Sequence, residues 1–357
     1  MKKKYVDREI ATGFGRLYID IASKMSYDKS LVVPPHNAGA FQALSPEVRD
    51  FVRDEMLDKA QNILSKVLKK NYNYAPAYFQ TARLNLERRD LFTAERALLR
   101  ALKYDRKRPE YNDLLGQVYA KRKLPDQAIK YFQDAIDVDY QYLPAHYHMA
   151  KLSYYDARNI PKALEEYQIT RELLPGAPAD QVVGIDSDEL YYNLGWLEYQ
   201  NSNYDEALSL WNNVLTGDLT VNPNLNFAAG NAYYSIGRYE LAIQKFTAAV
   251  ASYREMAKAK GAVEPGQDFD RNLWRDLSSV YNNLGVSFYL AGDQNRALQN
   301  LWKSVESIKT LGFFNENEQA NINRAYLLHP PAKNVSGLLE LNDDIPMDYR
   351  LNGLPAD

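Results

Sequence analysis

The chain is 357 residues long, 46% hydrophobic, free of cysteine, and carries a formal net charge of −3. That apolar content excludes a chain disordered as a whole, and the missing thiols exclude disulfides, thiol catalysis and cysteine-based zinc sites. No run of about 18 apolar residues exists, so the sequence predicts a soluble chain without a membrane span; it does not choose between cytoplasm and periplasm, and attachment through a region outside this chain stays open.

The start, Met1-Lys2-Lys3-Lys4-Tyr5, is basic, but Val6-Asp7-Arg8-Glu9 is charged, so no secretory signal is predicted. Charge is unevenly spread: Lys66 to Lys123 holds 15 Lys/Arg against 6 Asp/Glu, and Leu124 to Asp357 holds 18 against 31. A dipolar chain can steer partners, although helix faces that simply differ in solvated charge give the same count. Val6 to Met25 has helical apolar spacing through Ile10, Phe14, Leu17, Ile21 and Met25, interrupted by Gly13 and Gly15. Leu31-Val32-Val33-Pro34-Pro35 reads as extended. Residues 1–45 are therefore expected to be a helical extension and linker outside any repeat.

From residue 46 an alanine recurs at Ala60, Ala94, Ala128, Ala163, Ala207, Ala242 and Ala297, in steps of 34, 34, 35, 44, 35 and 55. The same small and aromatic residues return around it. One copy has Leu115-Gly116, Tyr119, Ala128, Phe132 and Ala135, and another Leu194-Gly195, Ala207 and Trp211. Further copies have Gly230, Tyr233, Gly237, Ala242, Phe246 and Ala249, then Leu284-Gly285, Phe288, Gly292, Ala297 and Leu301. The small residue lets two helices of a hairpin approach, and the aromatics fill the space between hairpins. No such hairpin buries its apolar face alone, so the units must stack.

The long steps place insertions near 175–187 and 255–275. In the first, Pro175, Gly176 and Pro178 break a helix before the start signal Asp186-Ser187-Asp188-Glu189. In the second, two extended helices flank Lys260 to Gly266. Pro161 fits the first turn of a helix, where its missing N–H costs nothing. Within 313–357, Asn315 to Leu328 is expected to cap the array as a last helix, and His329 to Asp357 to be irregular.

Over residues 46–312 this pattern resembles the tetratricopeptide repeat family, whose period is 34 residues. The resemblance implies an all-α fold, a right-handed superhelical solenoid of about seven helix-turn-helix units. It also implies a concave groove lined by the first helix of each unit. Carried onto this sequence, the groove positions include Phe79, Arg83, Gln117, Tyr147, Lys151, Tyr192, Trp196, Phe227, Asn231 and Asn282, with Asn193 and Asn283 beside them to hydrogen-bond a peptide backbone. Tyr154, Tyr199 and Tyr234 fit groove and inter-repeat core equally well. Members of the family that clamp a terminal carboxylate use Lys and Asn; here Phe79, Asp113 and Tyr147 stand at matching positions, so no such clamp is expected. In its Tyr- and Asn-rich style, long insertions and Pro-rich tail, the chain also resembles repeat scaffolds of the bacterial flagellar-motor collar in spirochaetes.

Little points to chemistry. His146 and His148 are two apart on a predicted helix and aim to different sides, whereas a helical zinc pair wants a spacing of four. Gly13-Phe14-Gly15 lacks the third glycine and the preceding strand of a dinucleotide fingerprint. No phosphate loop, Gly-x-Ser-x-Gly or kinase set is present, and pairs such as Glu165-Glu166 read as solvated charge. No enzyme, cofactor or metal is expected. Arg88, Arg89, Arg106, Lys107, Arg108, Lys121, Arg122 and Lys123 fall at predicted loops one repeat apart, where they would stack into a basic stripe along one edge. Such a stripe meets phosphate or an acidic protein equally well, and a sequence pI near 5.9 argues against dedicated nucleic-acid binding. The sequence therefore predicts a scaffold that holds extended or helical segments of other proteins in an aromatic-rich groove. The alternatives are self-association through the ends or the charge asymmetry, and an RNA-binding or enzyme-accessory repeat domain using the edge 83–123.

Overall fold

The computed structural model describes residues 8–26, 46–214, 222–259 and 271–309, together with Ala320, Asn323, Arg324 and Leu327. Every regular element among the described residues is helical. The chain divides into two compact units, Met1–Ile185 and Asp186–Asp357. The first unit holds α1 (Arg8–Ser26), α2 (Pro46–Lys70), α3 (Ala75–Glu87), α4 (Leu91–Tyr104), α5 (Pro109–Lys121), α6 (Pro125–Val138), α7 (Leu143–Tyr155) and α8 (Ile160–Leu173), then a 3-10 turn (Leu174–Gly176) and the short α9 (Ala179–Val182). The second holds α10 (Ser187–Gln200), α11 (Tyr204–Val214), α12 (Pro223–Ser235), α13 (Tyr239–Ala259), α14 (Arg271–Leu290) and α15 (Gln294–Lys309).

Consecutive helices pair as antiparallel hairpins, α1/α2 through α7/α8 in the first unit and α10/α11 through α14/α15 in the second. In five of the seven described hairpins the second helix lays a large side chain on a glycine of the first, and in the other two Ala82 and Ala150 take the glycine's place. A Cβ on Gly116 would stand 2.5 Å from the Phe132 ring. A Cβ on Gly195 would strike Trp211, and one on Gly230 would strike Phe246. Phe132, Trp211 and Phe246 are fully buried there, and the Trp211 indole N–H donates to the Tyr192 carbonyl at 3.2 Å.

The same contact corrects the reading of the N-terminal segment. A Cβ on Gly15 would stand 3.1 Å from Leu64, four residues after Ala60, as Phe132 follows Ala128. Helix α1 is thus the first helix of the first hairpin and not an extension outside the repeat. Gly13, two residues earlier, has open space around it. The expected extended stretch Leu31 to Pro35, the loop Lys260 to Gly266 and the tail from His329 lie outside the described residues. The insertion after α8 is structured: the Gln181 side chain accepts from the Leu143 N–H at 3.1 Å and so caps α7. On either side of the second insertion, α13 and α14 run to 21 and 20 residues. Of the expected last helix, the described residues are helical, and Ala320, Asn323 and Leu327 are buried.

The turns inside hairpins share one device. Arg89, Lys123, Arg158, Ser202, Gly237 and Gly292 all have positive φ, between 51° and 91°. In the α5–α6 turn the Lys123 N–H donates to the Ala120 carbonyl (2.9 Å) and the Leu124 N–H to Tyr119 (3.0 Å). This Schellman pairing satisfies carbonyls left open at the helix end. The next residue then starts the second helix: Asp90 caps Thr93 at 3.0 Å and Asp293 caps Arg296 at 2.9 Å. The α7–α8 turn is one residue longer and closes from Asn159 N–H to the Ser153 carbonyl at 2.8 Å.

Two outcomes follow for stability. Gly116→Ala and Gly230→Ala each force a buried ring off its partner helix and should lower unfolding free energy by about 1–3 kcal/mol, whereas Gly13→Ala, on an open helix face, should raise it by up to about 1 kcal/mol. Lys123→Gly, which removes a side chain from a left-handed position, should raise it by about 1 kcal/mol. Thermal melting of the variants beside the wild type checks all four.

Candidate functional site

The first helices of neighbouring hairpins meet side by side, α1 on α3 and α5 on α7 in the first unit, α12 on α14 in the second. Their shared face holds the expected binding positions. In the first unit it is polar. Asp20 of α1 takes the Arg83 guanidinium of α3 at 2.7 Å, and Arg83 also donates to Gln80 at 3.1 Å. Asp113 of α5 is 3% exposed and accepts from Gln117 at 2.9 Å, while its other oxygen lies 2.7 Å from His148 Nδ1 on α7. The Lys151 ammonium stands over the Tyr147 ring at 5.3 Å. Phe79 of α3 tilts against Tyr111 of α5 with centroids 5.0 Å apart. Burial, with the Asp113 carboxylate nearby, pushes the Tyr142 phenol well above its ordinary range, so it stays a neutral donor.

In the second unit much of this face is filled. Tyr192 belongs to a buried cluster with Trp211, Leu225 and Ala229. Phe227 packs on Phe246 with centroids 5.9 Å apart. Buried amides link three elements: Asn283 donates to Asn231 at 2.8 Å, Asn282 to Asn283 at 3.1 Å, and Asn323 to Asn282 at 2.9 Å. Trp196 is partly exposed and stacks on Tyr199 with centroids 5.2 Å apart.

The twelve expected groove residues therefore separate. Tyr147, Tyr192, Asn193, Phe227, Asn231, Asn282 and Asn283 are buried, at 2% exposure or less. They sit where first helices press on their neighbours, so their rings and amides serve the stacking. Phe79, Arg83, Gln117, Lys151 and Trp196 remain partly exposed. His148, set aside in the sequence as a metal ligand, joins this face, and only its folded neighbour Asp113 reveals that. The two histidines do aim apart. His146 is buried with Nδ1 2.6 Å from Glu166 and Nε2 2.8 Å from the Tyr140 carbonyl, and Lys162 reaches the other Glu166 oxygen at 2.8 Å. Glu166 is thus a buried member of this cluster and not a solvated charge.

The basic stripe also needs correction. Arg88, Arg89, Lys121, Arg122 and Lys123 lie at turns inside hairpins, whereas Arg106, Lys107 and Arg108 lie between hairpins, at the opposite end of the helices. They cannot line one edge. Several are paired: Arg88 with Asp58 and Gln61, Arg122 with Glu95, Lys123 with Asp156 at 3.3 Å, and Arg108 with Asp105 and Glu110 at 3.8 and 3.7 Å. No described helix is long and apolar enough to cross a membrane.

Residues 81–144 and 192–257 match the tetratricopeptide repeat family. No curated protein matches the chain. Among solved structures, YrrB, described as a tetratricopeptide protein with an unusual peptide-binding site, is similar at 14% identity, covering 61% of this chain and 98% of its own, with a TM-score of 0.45. MamA is similar at 22% identity over 52% of this chain and 94% of its own, with a TM-score of 0.40. The C-terminal part of a repeat protein from Cytophaga hutchinsonii is similar at 16% identity over 77% of this chain and 97% of its own, with a TM-score of 0.46.

The Glu166 cluster generates a pH prediction. Burial pushes the carboxyl up, but hydrogen bonds from His146 and Lys162 outweigh it and hold Glu166 below its ordinary value. A lowered folded value adds stability above the unfolded value near 4.3 and loses it as pH falls through the folded one. Glu166→Gln, which leaves a buried cluster without its charge, should cost about 3 kcal/mol at pH 7. The gap between variant and wild type should narrow below about pH 4, as read from melting curves at pH 7 and pH 3.5.

Proposed function

We propose that this chain, whose residues 81–144 and 192–257 match the tetratricopeptide repeat family, is a protein-interaction scaffold that holds partner segments on the first-helix face of its hairpins. The observation that carries this reading is the half-exposed polar strip of the first unit. Arg83, Gln117, His148 and Lys151 come from three successive first helices and remain partly open to solvent. Asp20 holds Arg83, and Asp113 holds Gln117 and His148, so little ordering entropy is lost at these three when a ligand arrives. The strip carries both signs of charge and amide donors, which suits an extended or helical peptide with polar and acidic side chains. In the second unit, separately, Trp196 supplies a ring of the kind that anchors interfaces. The aromatic richness expected of the groove is mostly spent inside the stack, so recognition is more polar than the sequence suggests. We read the chain as a binder and not an enzyme. A place in a flagellar-motor collar rests on the style of the sequence alone, and the division of the basic residues between two edges favours neither nucleic acid nor a single acidic surface.

A photo-cross-linking residue placed at Gln117, Lys151 or Trp196 should capture a discrete set of proteins in native lysate. One placed at Tyr72, 70% exposed in the loop between α2 and α3, should not. Adding Lys151→Glu should weaken capture at Gln117 about tenfold. Equal capture from Tyr72, or none from the face, contradicts the reading.

A further inference from the structure

The hairpin register exposes a second, independent docking face. Numbered from the small residue of the first helix, the residues five before, one before and two after meet the preceding hairpin. On α5 these are Tyr111, Leu115 and Val118, at 2% exposure or less, and on α12 they are Leu225, Ala229 and Ala232, fully buried. Each set shares a hydrophobic cluster with the second helix before it, Leu98 and Ala101 of α4 in one case, Ala207 and Trp211 of α11 in the other. On α1, counted from Gly15, the same three positions hold Ile10, Phe14 and Leu17. They are 61%, 52% and 50% exposed. The opposite face of α1 is used in the ordinary way, with Ala11, Ile19 and Ala22 buried against α2.

Among the described residues, no helix covers the inter-hairpin interface of α1. Its three side chains are larger than the alanines at many equivalent positions, and three large apolar groups in one stripe are more than scattered surface residues. The interface it continues is made each time by the apolar stripe of a second-type helix, which defines what fits. The second helices α2, α4, α6, α11 and α13 are each covered by the next first helix, α8 meets the 3-10 turn that follows it, and α15 carries Arg324 over a Trp302 that stays 52% exposed. We propose that the Ile10–Phe14–Leu17 face of α1 docks an amphipathic α-helix of a partner protein, laid across it as α4 lies across α5. The binding is helix-in-groove recognition with anchors spaced along one helical stripe.

The probe is a fluorescein-labelled, helix-stapled peptide of the α4 sequence, Leu91–Tyr104, whose buried side chains are Ala94, Ala97, Leu98 and Ala101. Titrated against the full chain, it should give saturable anisotropy. Phe14→Asp and Leu17→Asp should each weaken it about tenfold or more, Leu98→Asp in the peptide should do the same, and Lys151→Glu on the first-helix face should leave it unchanged. Each α1 variant should lower the melting temperature far less than Gly116→Ala does, because both side chains are about half exposed. Absence of saturation, or equal binding to Phe14→Asp, overturns the proposal. So does a loss of melting temperature in both α1 variants as large as that of Gly116→Ala, which would mean that the stripe is covered in solution. A dimer in light scattering that Phe14→Asp splits also overturns it, since the occupant would then be a second copy of the chain.

Discussion

The hairpins of this chain close around one contact: a residue with little or no side chain on the first helix lies under a large side chain four positions after the recurring alanine of the second. Helix axes in proteins pack roughly 8–10 Å apart, according to the side chains between them. A missing Cβ at Gly116, Gly195 or Gly230 lets a Phe or Trp lie flat on backbone, so the bulk of the ring fills the hairpin and holds no void. That contact sets the register of the two helices. Register in turn decides which side chains face the next hairpin, which face the neighbouring first helix, and which are left to solvent.

The polar interior follows from the same constraint. First helices brought side by side would strand the Asn and Asp side chains between them, and an unpaired buried amide or carboxylate is costly. Here they are joined to one another. Asn231, Asn283, Asn282 and Asn323 form one chain of amides, and Asp113 is shared by Gln117 and His148. Networks of this kind specify a single alignment more than they add stability. They also explain why the binding face differs between the units: where amides and rings satisfy each other the face is closed, and where Arg83, Gln117, His148 and Lys151 lie at its border it stays open.

Much of this was legible in the sequence and some was not. The alanine register, the glycine opposite Phe132, Trp211 or Phe246, and the helix start at Asp186 are local signals that survive folding unchanged. Helix α1 escaped because residues 27–45 separate Gly15 from Ala60, so the pair that closes every other hairpin across a short turn lies far apart in the chain. The turn residues Arg89 and Lys123 escaped because a left-handed conformation is advertised by glycine, as at Gly237 and Gly292, and not by Arg or Lys. The expected groove residues divide into buried and half-exposed sets for a physical reason. Position on a helix gives direction, but burial depends on how closely the next helix approaches, and Tyr192 or Asn282 cannot report that alone. The basic residues misled because Arg106 to Arg108 fall half a repeat from Arg88 and from Arg122, and successive loops alternate between the two ends of the helices.

Small-on-large packing sets hairpin register, and a double-mutant cycle on Gly116→Ala and Phe132→Leu tests this most directly. The structure predicts strong coupling: Phe132→Leu alone lowers stability, Gly116→Ala alone lowers it, and together they cost less than the two separately by about 1 kcal/mol or more, because the smaller side chain makes room for the new methyl. Strictly additive losses would contradict the account, since they would mean that the ring and the glycine do not press on each other in solution.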